Sequence, residues 1–228
     1  MIEIQNLNFG FKGKILDDIN LTVQNEGQVI ALFGPNGAGK TTILNVLANY
    51  YQKKTGTIET DNKFFFLPDE PYLPEDWTIT KCLASFNQLY DTFNEARARK
   101  MLDSLKLDFN KEIAEYSKGM KEQLHTVLAL AQDVDTYLFD EPLAGVDPLT
   151  RERLLSFIMH DRKPGSTIII STHLISDVSD IFDEVMFLDE GKIILHDSVN
   201  RLLDEYNDTL ENVYKKVMLH ASSFSANR

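Results

Sequence analysis

The residues best suited to chemistry begin with a glycine-rich run, GPNGAGKTT, at positions 34–42. Gly34, Gly39, Lys40 and Thr41 stand at the spacing G-x-x-x-x-G-K-[ST], with Pro35, Asn36, Gly37 and Ala38 between them and Thr42 after. Glycines in such a turn let successive backbone N–H groups point inward, where a side chain would collide with a phosphate. Lys40 brings a point charge for the β- and γ-phosphates of a nucleotide, and the Thr41 hydroxyl is placed to ligate Mg²⁺. A second group closes the stretch TYLFDEP, 136–142, an apolar run that ends in Asp140 and Glu141. Asp140 would complete the Mg²⁺ shell opposite Thr41, and Glu141 could accept a proton from an attacking water. The third is His173, at the end of TIIISTH, 167–173. A neutral imidazole at the C-terminal end of a strand could touch the γ-phosphate and steady Glu141.

These side chains need a frame that brings several strand ends to one place. VIALF (29–33) is short, apolar and β-rich, and ILNVLANY (43–50) has apolar residues at helical spacing, so a strand and a helix flank the glycine loop. The helix N-terminus would add its partial positive charge to the cradle. Upstream, IEIQNLNF and INLTVQNEGQVIALF alternate like paired strands, with a turn at Gly27. TGTIET and NKFFFLP add two short strands after the helix. From about residue 72 to 130 the pattern changes: TITKCLASFNQLY, NEARARKMLDSLKL and SKGMKEQLHTVLALAQ carry helical spacing and no strand pattern. Strands and helices then alternate again. EVMFLDEGKIILHD turns at Glu190-Gly191 as a hairpin, and LENVYKKVMLH is an amphipathic helix near the end.

Composition narrows the class. The 228 residues allow a substantial core, and 43% hydrophobic with 25% charged residues is ordinary for a globular chain. A net charge of −12 leaves no broad basic surface for nucleic acid or anionic lipid, so no nucleic-acid partner is expected. The single cysteine, Cys82, cannot form an intrachain disulfide, which fits a reducing cytosol. No apolar run approaches the roughly 20 residues that span a bilayer, and no signal segment opens the chain. A role at a membrane would require another subunit to hold the chain there.

In type and order these motifs resemble the nucleotide-binding subunits of ABC transporters, over about residues 1–203. YSKGMKEQL (116–124) is similar to the family's LSGGQ signature, AGVDP (144–148) to its D-loop, STH to its switch-histidine segment, and FLPDEPYLPEDWT (66–78) to its Q-loop region. The resemblance implies an α/β fold: a P-loop NTPase (RecA-like) core with an N-terminal antiparallel β-subdomain and an inserted α-helical subdomain. It implies a single ABC ATPase domain, with core and β-subdomain at about 1–70 and 131–205, the helical subdomain at about 71–130 and a C-terminal helix at about 206–220. It also implies ATP and Mg²⁺ as cofactors, Glu141 and His173 as catalytic residues, and Thr41, Asp69 and Asp140 at the metal. An aromatic near the N-terminus stacks on adenine in the family; Phe11 is the better spaced candidate and Phe9 the alternative. Ser117 and Gly119 of the signature and Asp147 of the D-loop would act across a head-to-tail dimer with a second ATPase subunit, and Ser117 also suits an ordinary N-cap.

Two departures from the family pattern stand out. Asp69 occupies the position usually held by Gln, adding negative charge beside phosphate, and Lys118 stands where Gly is usual. Lys118 is expected to be a tolerated replacement, because Ser117 and Gly119 keep the hydroxyl and the close backbone approach; the alternative is that it contacts the partner's nucleotide. The SKGM form resembles bacterial exporter ATPases, which pair with an integral membrane transporter subunit and move drugs, lipids or amphipathic antimicrobial-type peptides. On that reading the chain is cytoplasmic and peripheral on the inner face of the cell membrane. The alternative is a soluble ABC-type ATPase in a non-transport role. Tyr72, Leu73 and Trp77, in PYLPEDWTITKCL, suit either a docking pocket for the membrane partner or the core of the helical segment.

Overall fold

The computed structural model describes residues 1–24, 26–53, 55–175 and 179–225. Two sheets form. In the smaller, β1 (Ile2–Phe9) is flanked by β2 (Leu16–Val23) and β4 (Thr55–Thr60), both antiparallel to it. The larger has the order β5-β6-β7-β3-β8-β9, from β3 (Val29–Phe33), β5 (Phe64–Leu67), β6 (Thr136–Asp140), β7 (Thr167–Ser171), β8 (Glu184–Asp189) and β9 (Lys192–Ser198). Its strands run parallel except β9, which returns from β8 as the expected hairpin through Glu190 and Gly191.

The expected turn at Gly27 is corrected. β2 and β3 do not pair; they belong to different sheets, and Gly27, at φ 75°, lies on the crossover. The reason is visible in burial. β2 alternates, as a strand with one wet face must, whereas every residue of β3 is buried, as in a parallel strand covered on both faces. The two faces of β3 feed separate cores. Val29, Ala31 and Phe33 pack with Tyr137, Phe139 and the helices, while Ile30 and Leu32 pack with Leu138, Ile169 and the small sheet.

The helices are α1 (Lys40–Leu47), α2 (Ile79–Leu89), α3 (Glu95–Leu105), α4 (Lys118–Leu130), α5 (Pro148–His160), α6 (Val199–Tyr206) and α7 (Leu210–Ser225). α2, α3 and α4 lie between β5 and β6, and their buried residues, among them Leu83, Leu102 and Leu128, join the core on the Phe33 face. α2 to α6 each carry a side-chain cap on the first turn: Thr78, Asn94, Ser117, Asp147 and Ser198 accept from a backbone N–H three residues on. α1 has none. Its N-cap is Gly39, at φ 109°, so its first-turn N–H groups have no side-chain acceptor.

Candidate functional site

The site lies where neighbouring parallel strands end. β7 sits between β3 and β6, so the loops after all three open on one side of the sheet. β3 delivers the glycine loop. A Cβ on Gly34 would fall 2.3 Å from the Leu188 carbonyl oxygen, so the strand exit on β8 admits only glycine. Gly39 supplies the left-handed turn that starts α1. Lys40, 8% exposed, folds back along the loop and donates from Nζ to the Gly34 carbonyl at 2.9 Å and the Pro35 carbonyl at 3.4 Å. Pro35, Asn36 and Gly37 form the exposed tip, Ala38 is buried, and Thr41 and Thr42 occupy the first turn of α1.

β6 delivers the carboxylates. Register pairs Asp140 with Ser171 of β7, and the Ser171 hydroxyl donates to Asp140 Oδ1. Asp140 is 2% exposed, so this bond satisfies a carboxylate that water barely reaches. The next residue, Glu141, has φ 49°, a left-handed conformation that costs a non-glycine residue about 1–3 kcal/mol. Its N–H donates to the Ser171 carbonyl at 3.1 Å and lies 3.0 Å from Ser171 Oγ, which holds that turn. The turn aims the side chain back over the loop. Glu141 Oε1 lies 3.9 Å from Lys40 Nζ, and Oε2 lies 2.8 Å from Nδ1 of His173. Glu141 therefore stands between a lysine and a histidine, and His173 itself is exposed.

A cavity of about 460 Å³ opens here, lined by the loop, Lys40, Thr41, Thr42, Asp140 and Glu141, with Asp69 and Ile15 at its sides. Asp69 is exposed on the loop after β5. Partial burial and then the charge of Asp140 push its pKa upward.

Other expected site residues gather elsewhere. Ser117, Gly119 and Asp147 are not among the residues lining this cavity but lie close to one another. A Cβ on Gly119 would be 3.2 Å from Thr150 Oγ1 and 3.6 Å from Asp147 Oδ2, so the first turn of α4 sits on the first turn of α5. Ser117 Oγ accepts from the Met120 N–H at 3.3 Å. Asp147 caps α5, accepting from the Thr150 hydroxyl at 2.7 Å and the Thr150 N–H at 3.1 Å, and these bonds hold its carboxyl below the usual carboxylate range. Near the N-terminus, Phe9 is 6% exposed and stacked on Tyr51 at 5.4 Å, whereas Phe11 is 64% exposed and touches both rings edge-on. Phe9 is thus core of the small sheet, and Phe11 has a free face.

Sequence reasoning missed Ser171 and Ile15. Ser171 reads as one more strand residue until register sets it opposite Asp140. The same reasoning left Tyr72, Leu73 and Trp77, beside the groove at α2, open between a docking pocket and the core. Leu73 is 7% exposed and buried in the main core, with Tyr72 and Trp77 packed against that core. The groove is larger than the polar cavity, at about 700 Å³, and its walls are Tyr50, Phe65, Phe66, Tyr72 and Tyr90. The doublets YY and FFF were the available signal.

Residues 16–144 match the family described as ABC transporter. The chain is 32% identical over 220 residues to an uncharacterized ABC transporter ATP-binding protein of Methanocaldococcus jannaschii, covering 92% of this chain and 83% of that one. It is 30% identical to the lantibiotic transport ATP-binding protein SrtF of Streptococcus pyogenes, covering 92% and 97%. Among solved structures, a post-hydrolysis dimer of an ATP-binding cassette bound to ADP and Pi superimposes with a TM-score of 0.74 at 20% identity, over 87% of this chain and 98% of that one. The α/β architecture with its antiparallel side sheet is therefore that of an ABC cassette, and the chain belongs to the ABC transporter family as an ATP-binding protein carrying an ABC ATPase domain.

Proposed function

We propose that this ATPase domain is the motor of an exporter: it binds ATP with Mg²⁺, hydrolyses it as one half of a head-to-tail dimer, and passes the motion to a separate integral membrane subunit. The observation that carries the reading is Glu141 held between Lys40, at 3.9 Å, and His173, at 2.8 Å, over the glycine loop. On this reading Lys40 and the uncapped N-terminus of α1 hold the phosphates. Glu141 accepts a proton from the attacking water, and His173 orients its carboxylate. Phe11 stacks on the adenine with its free face.

The donors present suit Mg²⁺. The Thr41 hydroxyl and the Asp140 and Asp69 carboxylates are hard oxygen ligands on one cavity. Among the described residues no group of three or more His, Cys, Asp or Glu side chains could hold a metal, so the ion would share its shell with phosphate oxygens. Bound there, Mg²⁺ would neutralise charge that builds on those oxygens. Ser171 aims the Asp140 carboxylate by donating to its Oδ1.

Ser117, Gly119 and Asp147 sit together outside their own chain's cavity, which suits contact with the nucleotide of a second ATPase subunit. The aromatic groove suits a short helix of the membrane subunit, which would hold the chain on the inner face of the membrane. No helix among the described residues is long and apolar enough to cross one. Kinship with a lantibiotic transport protein and the SKGM form of the signature favour export of an amphipathic peptide.

Calorimetry with MgATP tests the site. Lys40→Ala removes a charge-assisted phosphate contact and should weaken binding about ten- to a hundredfold. Unchanged affinity would sink the cradle reading. Co-purification with the membrane partner, and transport by the pair in vesicles, tests export.

A further inference from the structure

We propose that Ser171 is a positioning residue for hydrolysis: its hydroxyl ties the Asp140 carboxylate to the turn at Glu141, so that the end of β7 clamps Glu141 at its main chain through Ser171 and at its carboxylate through His173. The inference rests on the MgATP reading of the cavity and extends it from the aiming of Asp140 to the placing of the base.

The turn at Glu141 is what needs holding. Successive side chains of an extended strand point to opposite faces, so on a continued β6 Glu141 would point away from Asp140. Both carboxylates nevertheless line one cavity. The left-handed conformation of Glu141, φ 49°, swings its side chain round, and a residue with a Cβ adopts that conformation only when its surroundings impose it.

Ser171 imposes it with bonds whose sense is fixed. A carboxylate accepts, so the hydroxyl proton goes to Asp140 Oδ1. The lone pairs of Oγ are then left for the Glu141 N–H, 3.0 Å away, which also reaches the Ser171 carbonyl at 3.1 Å. A chain of bonds runs from the Glu141 N–H through the hydroxyl to Asp140. Ser171 and Asp140 are both buried, and bonds in such a chain reinforce one another where water is excluded.

The same strand end reaches the far side of Glu141. His173, two residues past Ser171, brings Nδ1 to 2.8 Å from Glu141 Oε2. His173 is exposed, so the buried serine is the fixed end of the clamp. Its register is referred to the glycine loop as well: Ser171 pairs with Leu32 of β3, two residues before Gly34, and the Thr172 N–H donates to the Leu32 carbonyl at 3.4 Å.

The test compares three variants. Ser171→Ala removes both hydroxyl contacts and keeps the backbone bond. Ser171→Cys also loses the strong donor but fills the space, and Ser171→Thr keeps the hydroxyl. The measurements are kcat at saturating Mg²⁺, ATP affinity by calorimetry in EDTA and across a Mg²⁺ titration, and the melting temperature of the nucleotide-free chain. In Ser171→Ala and Ser171→Cys, kcat should fall about ten- to a hundredfold. The Mg²⁺ needed for half-maximal ATP binding should rise about three- to tenfold, with affinity in EDTA and melting temperature unchanged. Ser171→Thr should restore both; where its extra methyl unfolds the chain, the comparison of Ala with Cys decides instead. On a Glu141→Gln background, Ser171→Ala should lower turnover no further. Wild-type kcat in Ser171→Ala overturns the clamp. So does a raised Mg²⁺ requirement at normal kcat, which leaves Ser171 serving Asp140 alone. Recovery in Ser171→Cys would make volume the cause, and joint loss of kcat, EDTA affinity and melting temperature would make it folding; either overturns the clamp, as does a normally melting Ser171→Thr that fails to rescue. Normal turnover by Glu141→Gln refutes the base reading itself, whatever Ser171 does.

Discussion

Two concavities flank the segment around the end of β5, and they are built in opposite ways. The phosphate-loop cavity is polar and is built from short motifs at strand ends: the runs 34–42 and 140–141 contribute to its lining, and Ser171 and His173 hold the two carboxylates. Each is aimed by a directional bond or a fixed φ. The groove takes Tyr50 from the end of α1, Phe65 and Phe66 from β5, and Tyr90 from the end of α2. Its members meet as ring contacts, Tyr50 with Phe66 at 5.7 Å and Phe65 with Tyr90 at 5.6 Å. Hydrogen bonding demands a particular side chain at a particular spacing, whereas apolar contact is non-directional and accepts many. Precision in the first region is local, and in the second it is a property of the tertiary fold.

The comparison breaks most sharply at Glu141. Glu141→Gln keeps the shape and the left-handed turn but removes the proposed base. Turnover should fall about 10²- to 10⁴-fold while ATP binding persists. Near-normal phosphate release would show that the directional site does not work as its geometry says. Next in size is Leu73→Ala. Leu73 is 7% exposed in the main core, so truncation should cost about 2–5 kcal/mol and lower melting temperature and ATPase together. A variant that melts normally but loses the proposed membrane partner would return Leu73 to the docking surface.

How much of this was legible in the sequence follows the same division. The glycine loop, the Asp140-Glu141 pair, the β8–β9 hairpin and the helical character between β5 and β6 are each written within a dozen or so consecutive residues. What escaped needed two distant segments at once. Ser171 matters because register sets it beside Asp140, 31 residues away. The Gly27 crossover escaped because alternation in β2 and full burial in β3 look like one strand pair until the sheets are assigned. Leu73 and Trp77 stayed open between surface and core because a Pro-containing stretch resembles a loop; Trp77 accepts a backbone bond from Ile113 at 2.8 Å and packs against the core that buries Leu73.

Acid should sharpen the contrast behind Tyr72, one wall of the groove. His125 is 3% exposed beside Tyr72, and burial, then the Lys121 charge, lowers its pKa from 6.5 to about 4. Between those values the unfolded chain binds the proton and the fold does not. Its contribution is therefore full above pH 6.5 and is lost as pH falls toward 4. At pH 5 the loss is about 2 kcal/mol by the usual 1.36 kcal/mol per pH unit. His125→Phe, which keeps a ring against Tyr72 but cannot charge, should narrow the gap between melting temperatures at pH 7.5 and pH 5. An unchanged gap would place the acid sensitivity elsewhere.

The smallest expected effect on the chain itself is at Tyr50, an exposed wall of the groove. Tyr50 is 67% exposed and meets Phe66 edge-on, so Tyr50→Ala gives up one aromatic contact and little buried area. Stability should change by no more than about 1 kcal/mol, and basal ATPase should stay within about twofold, since Tyr50 lies outside the phosphate-loop cavity. Its exposure is what makes it informative. A large ring left in water beside an aromatic groove has most to gain when another protein covers it, and rings at interface centres commonly carry the largest share of binding. Capture of the membrane subunit by Tyr50→Ala should therefore weaken at least tenfold while melting temperature holds. Leu73→Ala should do the reverse, so the two variants measured side by side separate a surface that docks from a core that supports it. If Tyr50→Ala captures the partner as well as the wild type does, the groove is not the docking surface.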